Sequence, residues 1–204
     1  MIPIVSVIQE SFQEYSGEVS LVMFCQGCDL NCSFCHNKEH LKDFPVLGNA
    51  IDLFQKKITP FHSALVLLGG EFLIYDIDEI ATLCYSAHLK GIKVKLFTNG
   101  MHQRKLHDLL SWGLLDSVSI DYKQVTKNVV NMPQEYIEPT CTPEISYLCR
   151  VHKALFTLQN FPNVDVEVRT TQYNEMTDSE LSNIKFFVKP FGFRHIIQRD
   201  IRPE

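Results

Sequence analysis

The segment Phe24–Asn37, FCQGCDLNCSFCHN, holds four of the chain's seven cysteines. It follows directly on an apolar run, SLVMF at 20–24, whose composition is typical of a buried β-strand. Three of its cysteines, Cys28, Cys32 and Cys35, lie in a polar loop with Asp29 and Asn31. Cysteines clustered in such a loop, in a reducing compartment, more often hold a metal than each other. The segment therefore predicts a metal site at the end of a first strand.

Outward from this segment, short apolar runs alternate with longer amphipathic ones. The pattern predicts strands at 20–24, 64–68, 94–97, 117–120, 164–168 and 195–198, and helices at 50–57, 76–89, 102–112, 142–160 and 177–189. Strands that alternate with helices pair in parallel through right-handed crossovers. Six such units form an open sheet or a partial (β/α)6 barrel, since a closed barrel of the usual kind has eight. We expect one α/β domain over residues 1–204.

Unusual residues collect where the predicted strands end. These residues are the cysteine loop, Gly69-Gly70-Glu71, Thr98-Asn99-Gly100, Asp121, Arg169 and Gln198. In both candidate architectures, ligands bind at the carboxyl ends of the strands. The coincidence predicts one site assembled from several strands.

Composition narrows the class of protein. A net charge of −5 argues against a broad phosphate-binding surface, and so against nucleic acid as a partner. No apolar run is long enough for a membrane span, and the first ten residues lack the basic start of a signal peptide. An odd number of unevenly clustered cysteines does not suit a secreted disulfide framework. We expect a cytoplasmic protein without a membrane segment.

Several interpretations of the cysteines compete. A zinc site using Cys25, Cys28, Cys32 and Cys35 would be strained, because only three residues separate its two C-x-x-C pairs. A redox-active pair would leave two cysteines unexplained, and a purely hydrophobic role does not suit a polar loop. The last three alone, spaced C-x₃-C-x₂-C, could hold a [4Fe–4S] cluster and leave one of its irons open to a ligand.

This spacing, with Phe34 just before the last cysteine, resembles the radical S-adenosylmethionine (SAM) superfamily. The resemblance implies that the open iron chelates SAM, and that one electron cleaves it to methionine and a 5′-deoxyadenosyl radical. Gly69-Gly70-Glu71 looks like the family's Gly-Gly-Glu motif, which holds the methionine amino group; Phe72 departs from its usual proline. Glycines let backbone approach a ligand, and a carboxylate can neutralise an ammonium.

Within the superfamily, the chain most resembles the glycyl-radical-enzyme activating enzymes, especially those of anaerobic ribonucleotide reductase. The resemblance rests on motifs at 14–17 (EYSG), 26–28 (QGC), 35–37 (CHN), 97–100 (FTNG), 121–123 (DYK), 169–171 (RTT) and 198–203 (QRDIRP). Ile201 departs from the usual phenylalanine. The implied partners are a glycyl radical enzyme and a flavodoxin or ferredoxin as reductant.

The resemblance also implies roles for individual residues. Cys28, Cys32 and Cys35 would bind the cluster, and Asn99 and Asp121 would face the ribose and carboxylate region of SAM. Lys123 would lie close by, and Arg169 suits the methionine carboxylate. The full set expected around the cofactor is Phe34, His36, Gly69, Gly70, Glu71, Asn99, Asp121, Lys123, Arg169 and Gln198.

Alternatives remain open at this stage. A small-molecule radical SAM enzyme such as 7-carboxy-7-deazaguanine synthase is similarly short, and a non-enzymatic iron–sulfur or zinc module belongs to another class. We expect a single cluster, with Cys25 as a bystander at the end of the first strand. Cys84 and Cys149 fall within predicted helices and are expected in the core.

Overall fold

A computed structural model describes residues 1–33, 35, 37–38, 44–123, 132–173 and 176–199. In this part of the chain the strands are β1 Pro3–Ser11, β2 Ser20–Cys25, β3 Gly48–Asn49, β4 Ala64–Gly69, β5 Lys93–Thr98, β6 Ser117–Asp121, β7 Asp165–Gln172 and β8 Arg194–Arg199. The α-helices are α1 Ala50–Lys57, α2 Ile77–His88, α3 Gln103–Ser111, α4 Pro143–Gln159 and α5 Asp178–Val188. Short 3₁₀ helices cover Phe72–Ile74, Gln134–Tyr136 and Lys189–Phe191.

The strands form one sheet in the order β3-β1-β2-β4-β5-β6-β7-β8. From β2 to β8 every neighbouring pair is parallel, and the spatial order follows the chain order. Since the order never reverses, right-handed crossovers place the helices on one face, and the sheet curls around the other. The six predicted strands and the partial barrel are confirmed.

β1, the first strand in chain order, was not predicted. β1 runs antiparallel to β2, with Ile4 opposite Cys25 and Val7 opposite Met23. Its residues lie at the start of the chain, where they were interpreted only as the place of a targeting segment. Register shifts interrupt the β1–β2 pairing in two places, which weakens a simple alternating pattern. The hairpin extends the parallel sheet on the side of the cysteine loop.

The helix starts agree with the sequence signals. Thr142 caps α4 by accepting a hydrogen bond from the backbone N–H of Ile145, and Thr177 and Glu180 form the expected capping box on α5. α3 differs, because its N-cap residue His102 makes no side-chain capping bond. Among the described residues, no helix has the length and apolar content needed to cross a bilayer.

The two faces of the sheet bury different sets of side chains. Along β5, Val94 and Leu96 pack into the large core beneath the helices. Phe97 points to the inner face, where it joins a small cluster with Val22, Val66 and Tyr15. Tyr15 comes from the β1–β2 loop, so this loop contributes a buried ring to the inner face of the sheet.

The inner face also carries buried charges below its open end. Lys95 Nζ lies 2.9 Å from the carboxylate of Glu167, which also accepts hydrogen bonds from Ser119 and Arg194. Lys95 Nζ lies 4.9 Å from the ring centre of Phe97. These contacts pair charges that would otherwise be costly to bury. The contact with Lys95 also supports the aromatic ring of Phe97.

One core prediction was wrong. Cys84 is fully buried in α2, as predicted, but Cys149 in α4 is exposed. The buried face of α4 is defined by Tyr147, Val151 and Leu158, and Cys149 lies off that stripe. Membership of a helix alone does not decide burial; the position on its face does.

Candidate functional site

A cavity opens at the carboxyl ends of the parallel strands. It is lined by ten of the predicted site residues: Cys28, Cys32, Cys35, Gly69, Gly70, Asn99, Asp121, Lys123, Arg169 and Gln198. Phe34 and His36, also predicted, lie outside the described residues. The strand ends therefore meet in one site, as the sequence indicated.

The cysteine loop presents free thiols to this cavity. Cys28, Cys32 and Cys35 all line it, and none of them is in a disulfide. Burial raises the pKa of the Cys28 and Cys32 thiols, so without a metal they hold their protons. The backbone N–H of Leu30 donates to Cys28 Sγ at 3.4 Å, a contact that would suit a thiolate.

The donor set fits a cluster better than a single ion. Within the described ranges, no three or more His, Cys, Asp or Glu side chains converge tightly enough to hold one metal ion. A cubane spreads its thiolates over several irons and does not require such convergence. Cys25 is fully buried in the core beneath the helices and does not line the cavity. The four-cysteine zinc alternative therefore lacks its fourth ligand.

The Gly69-Gly70 turn is packed against the backbone of the cysteine loop. The N–H of Gly70 donates to the carbonyl of Cys25 at 3.0 Å, and the N–H of Glu71 donates to the carbonyl of Gly27 at 2.9 Å. A Cβ on Gly70 would lie 1.7 Å from the Gly27 carbonyl oxygen. Glycine is thus required here because two backbones touch, while the Gly69 carbonyl accepts from Asn37 Nδ2 at 3.1 Å.

Glu71 is turned away from the cavity and ties β4 to the end of β5. Glu71 is 1% exposed, and its carboxylate accepts hydrogen bonds from the Thr98 hydroxyl and from the N–H groups of Asn99 and Leu73. Burial raises the pKa of Glu71 to about 7, with repulsion from Asp29 as a further cause. Direct contact between this carboxylate and a cofactor ammonium stays a prediction.

Asp121 and Lys123 form an ion pair at the end of β6. Burial by itself would lower the pKa of Lys123, but Asp121 and then Cys32 outweigh it and raise that pKa, so the ammonium is charged. The hydroxyl of buried Tyr147 accepts from the N–H of Lys123 at 3.0 Å and donates to the carbonyl of Asp121 at 3.3 Å. The backbone that carries the pair is held from α4.

Arg169, on β7, supplies the second cation of the cavity. Its guanidinium carbon lies 4.9 Å from the centre of the Phe97 ring, and one nitrogen lies 4.0 Å from the carboxylate of Glu14. Stacking on an aromatic ring fixes a guanidinium while leaving its edge free to donate. Gln198 on β8 completes the far wall.

Sequence reasoning missed some residues around the cavity. His102 lies at the start of α3 and Tyr147 on the buried face of α4. Neither position carries a local sequence signal, and tertiary packing alone brings them to the site. Asp29 and Asn37 were within the quoted cysteine segment, but only their neighbours were given roles. Each is a polar residue close to a predicted cysteine ligand, and that position was the signal that could have indicated a role in the site.

The chain matches the family model described as "Radical SAM superfamily" over residues 22–156. The cavity with three cysteines at the strand ends thus identifies its class: the chain belongs to the radical SAM superfamily. It is 27% identical over 174 residues to the "Putative glycyl-radical enzyme activating enzyme MJ1227" of Methanocaldococcus jannaschii, covering 85% of this chain and 70% of that protein.

Solved structures share the fold. One is "Native anSMEcpe with bound AdoMet and Cp18Cys peptide", with a TM-score of 0.64 and 12% identity over 90% of this chain and 51% of that one. Another is the coproporphyrinogen III oxidase HemN of Escherichia coli, with a TM-score of 0.51 and 12% identity over 70% of this chain and 32% of that one. The chain spans about half, or less, of the length of these two structures.

Changing Gly70 to alanine should disrupt the site more than the fold. The new Cβ would collide with the Gly27 carbonyl and push the cysteine loop away from β4. We expect G70A to lose most of its bound iron after reconstitution, measured as iron per chain, while retaining its helical circular dichroism. The control is G113A, because alanine at the φ of +66° of Gly113 strains the backbone but its Cβ would meet nothing within 4 Å; equal iron in both variants would contradict the close-approach argument.

Glu71 should make stability depend on pH. Its folded-state pKa of about 7 lies above the ordinary 4.5, so the folded chain holds a proton that the unfolded chain releases between these values. Its contribution is complete below about pH 4.5 and is lost as the pH rises to about 7. The free energy of unfolding of the wild type, relative to E71Q, should fall by roughly 3 kcal/mol across this range and then level off.

Denaturant unfolding of the cluster-free protein at several pH values measures this difference. The control is E10Q, because Glu10 is exposed and its removal should leave the pH profile unchanged. A wild-type profile parallel to that of E71Q would show that Glu71 ionises normally.

Proposed function

We propose that this protein binds a [4Fe–4S] cluster through Cys28, Cys32 and Cys35 and activates a glycyl radical enzyme. The observation that carries the proposal is the meeting of three free thiols with two cations and several polar strand-end groups in one cavity. Held by Cys28, Cys32 and Cys35, a reduced cluster would supply the one electron needed to cleave the sulfonium C–S bond of SAM to methionine and a 5′-deoxyadenosyl radical. The hydrogen atom taken up to give 5′-deoxyadenosine would come from a glycine Cα of the partner, where the glycyl radical would remain.

The residues of the cavity suit the two ends of SAM. Lys123 and Arg169 line the cavity and carry the positive charge that suits its carboxylate, and the Gly69-Gly70 backbone offers carbonyls to its ammonium. Asn99 and Asp121 supply an amide and a carboxylate for ribose hydroxyls. Phe34, His36, Glu71 and Gln198 complete the proposed set. The chain's own task is to orient the cofactor and to exclude water.

A protein substrate agrees with the shape of the barrel. Among the described strands, the sheet ends at β8 on one side and at β3, which pairs with β1, on the other, so these strands do not close a barrel. A glycine-bearing segment of a large partner could enter through the gap beside β8 and approach Arg169 and Gln198. The name of the Methanocaldococcus relative supports the same class of substrate. We propose anaerobic ribonucleotide reductase as the partner, a flavodoxin or ferredoxin as the electron donor, and the cytoplasm as the compartment.

Cysteine variants test the proposed ligand set. After anaerobic reconstitution with iron and sulfide, C28A, C32A and C35A should each lose the cluster and form no 5′-deoxyadenosine with dithionite and SAM. C25A should retain both, because its thiol is buried outside the cavity. Iron analysis and chromatography of the nucleoside give the two readouts. Loss of iron in C25A alone would revive the four-cysteine alternative.

The partner is tested by electron paramagnetic resonance. The reconstituted protein, dithionite and SAM are mixed with an anaerobic ribonucleotide reductase, and a glycyl-radical doublet is expected. The control reductase has its radical-bearing glycine replaced by alanine. Nucleoside formation without a doublet would reject this partner and favour a small-molecule substrate, whereas absence of nucleoside would reject the enzyme.

A further inference from the structure

Asp29, the residue after the first predicted ligand, places a carboxyl group in a buried position. Its carboxylate is only 8% exposed. Its Oδ1 accepts a hydrogen bond of 2.7 Å from Asn99 Nδ2 and lies 3.7 Å from Cys28 Sγ. A buried carboxylate is costly unless it is well paired, so its retention beside a cysteine ligand calls for a role.

His102 provides the opposing charge or dipole. Its Nε2 lies 2.8 Å from Asp29 Oδ2, in the geometry of an ion pair rather than of a well-aligned hydrogen bond, and that nitrogen has no hydrogen-bond partner among the described residues. His102 occupies the N-cap of α3 without capping it, so its side chain is committed to Asp29.

Tyr136 and Arg150 hold the histidine from the outside. The rings of His102 and Tyr136 meet edge to face with their centres 6.1 Å apart. The guanidinium of Arg150 covers the Tyr136 ring at 4.7 Å. The imidazole is therefore packed as well as paired, and its position relative to the cysteine loop is defined.

The Asp29 carboxylate also orients a side-chain amide beside Cys28. Asn99 Oδ1 accepts from the N–H of Met101 at 2.9 Å, which leaves Nδ2 directed at Asp29. The same Nδ2 lies 3.8 Å from Cys28 Sγ. Hydrogen bonds and charges next to a cluster's sulfurs are principal determinants of its reduction potential.

We propose that Asp29 and His102 form a positioning pair that sets the reduction potential of the cluster held by Cys28. The inference rests on the proposed function only in requiring that a cluster binds. The carboxylate disfavours an added electron, and the positive end of the imidazole offsets that field. Removing one member should therefore act opposite to removing the other.

Three variants test the pair. D29N keeps the size of the side chain and removes its charge, so the potential should rise. H102L leaves the carboxylate less compensated, so the potential should fall. H102Q can still direct an N–H toward Asp29, so it should return toward the wild-type value. We expect each of the first two shifts to change the ratio of reduced to oxidised cluster about tenfold at fixed potential, or 59 mV for one electron.

The measurement is a redox titration of each reconstituted protein followed by electron paramagnetic resonance, with iron content determined in parallel. The matched control is H107L. His107 lies on the same helix, but its side chain is 53% exposed and its contacts do not include Asp29. Its potential should be that of the wild type.

Shifts of the same sign in D29N and H102L, or wild-type potentials in both, would overturn the proposal. If D29N binds no iron, the comparison of H102L with H102Q decides, and equal potentials there reject the pair. Iron loss in all three variants, with H107L intact, would reduce the pair to a structural element and also reject it. If the wild type itself binds no cluster, the proposed function fails instead. If the wild type binds a cluster and cleaves SAM, the potentials of the variants test the pair alone.

Discussion

The site depends on the contact between two backbones, that of the cysteine loop and that of the Gly69-Gly70 turn. Two hydrogen bonds, from the N–H groups of Gly70 and Glu71 to the carbonyls of Cys25 and Gly27, fix the loop over the end of β4. The approach leaves no room for a side chain on Gly70. This contact sets the distance between the cysteine loop and the end of β4. The thiols, the glycine carbonyl and the strand-end polar groups can therefore share one cavity.

The acidic side chains around the contact each have partners near the strand ends. Glu71 joins the ends of β4 and β5, Asp121 and Lys123 pair at the end of β6, and Asp29 reaches from the cysteine loop to His102 before α3. Such pairs contribute little net stability, but losing one partner is costly, so they favour one arrangement of the strand ends. The cluster and second ligand proposed for this site would benefit from this rigidity.

The sequence predicted what depends on local pattern. The six parallel strands, the helices and most cavity residues followed from periodicity, capping signals and the position of unusual residues at strand ends. It missed β1, whose pairing with β2 is interrupted by register shifts, and it misjudged Cys149, which lies on the exposed face of α4. Both errors arose where burial depends on how an element is rotated or paired.

By itself, the sequence determined the class of fold, the cysteine spacing and the edge of the sheet at which the site lies. These follow from period, order and chain connectivity, which parallel βα units translate directly into geometry. Only the tertiary structure decided that Glu71 faces Thr98 and Asn99, that Cys25 lies in the core, and that His102 meets Asp29. Those outcomes depend on the direction of single side chains between distant segments, and that direction is set by packing, which no local pattern encodes.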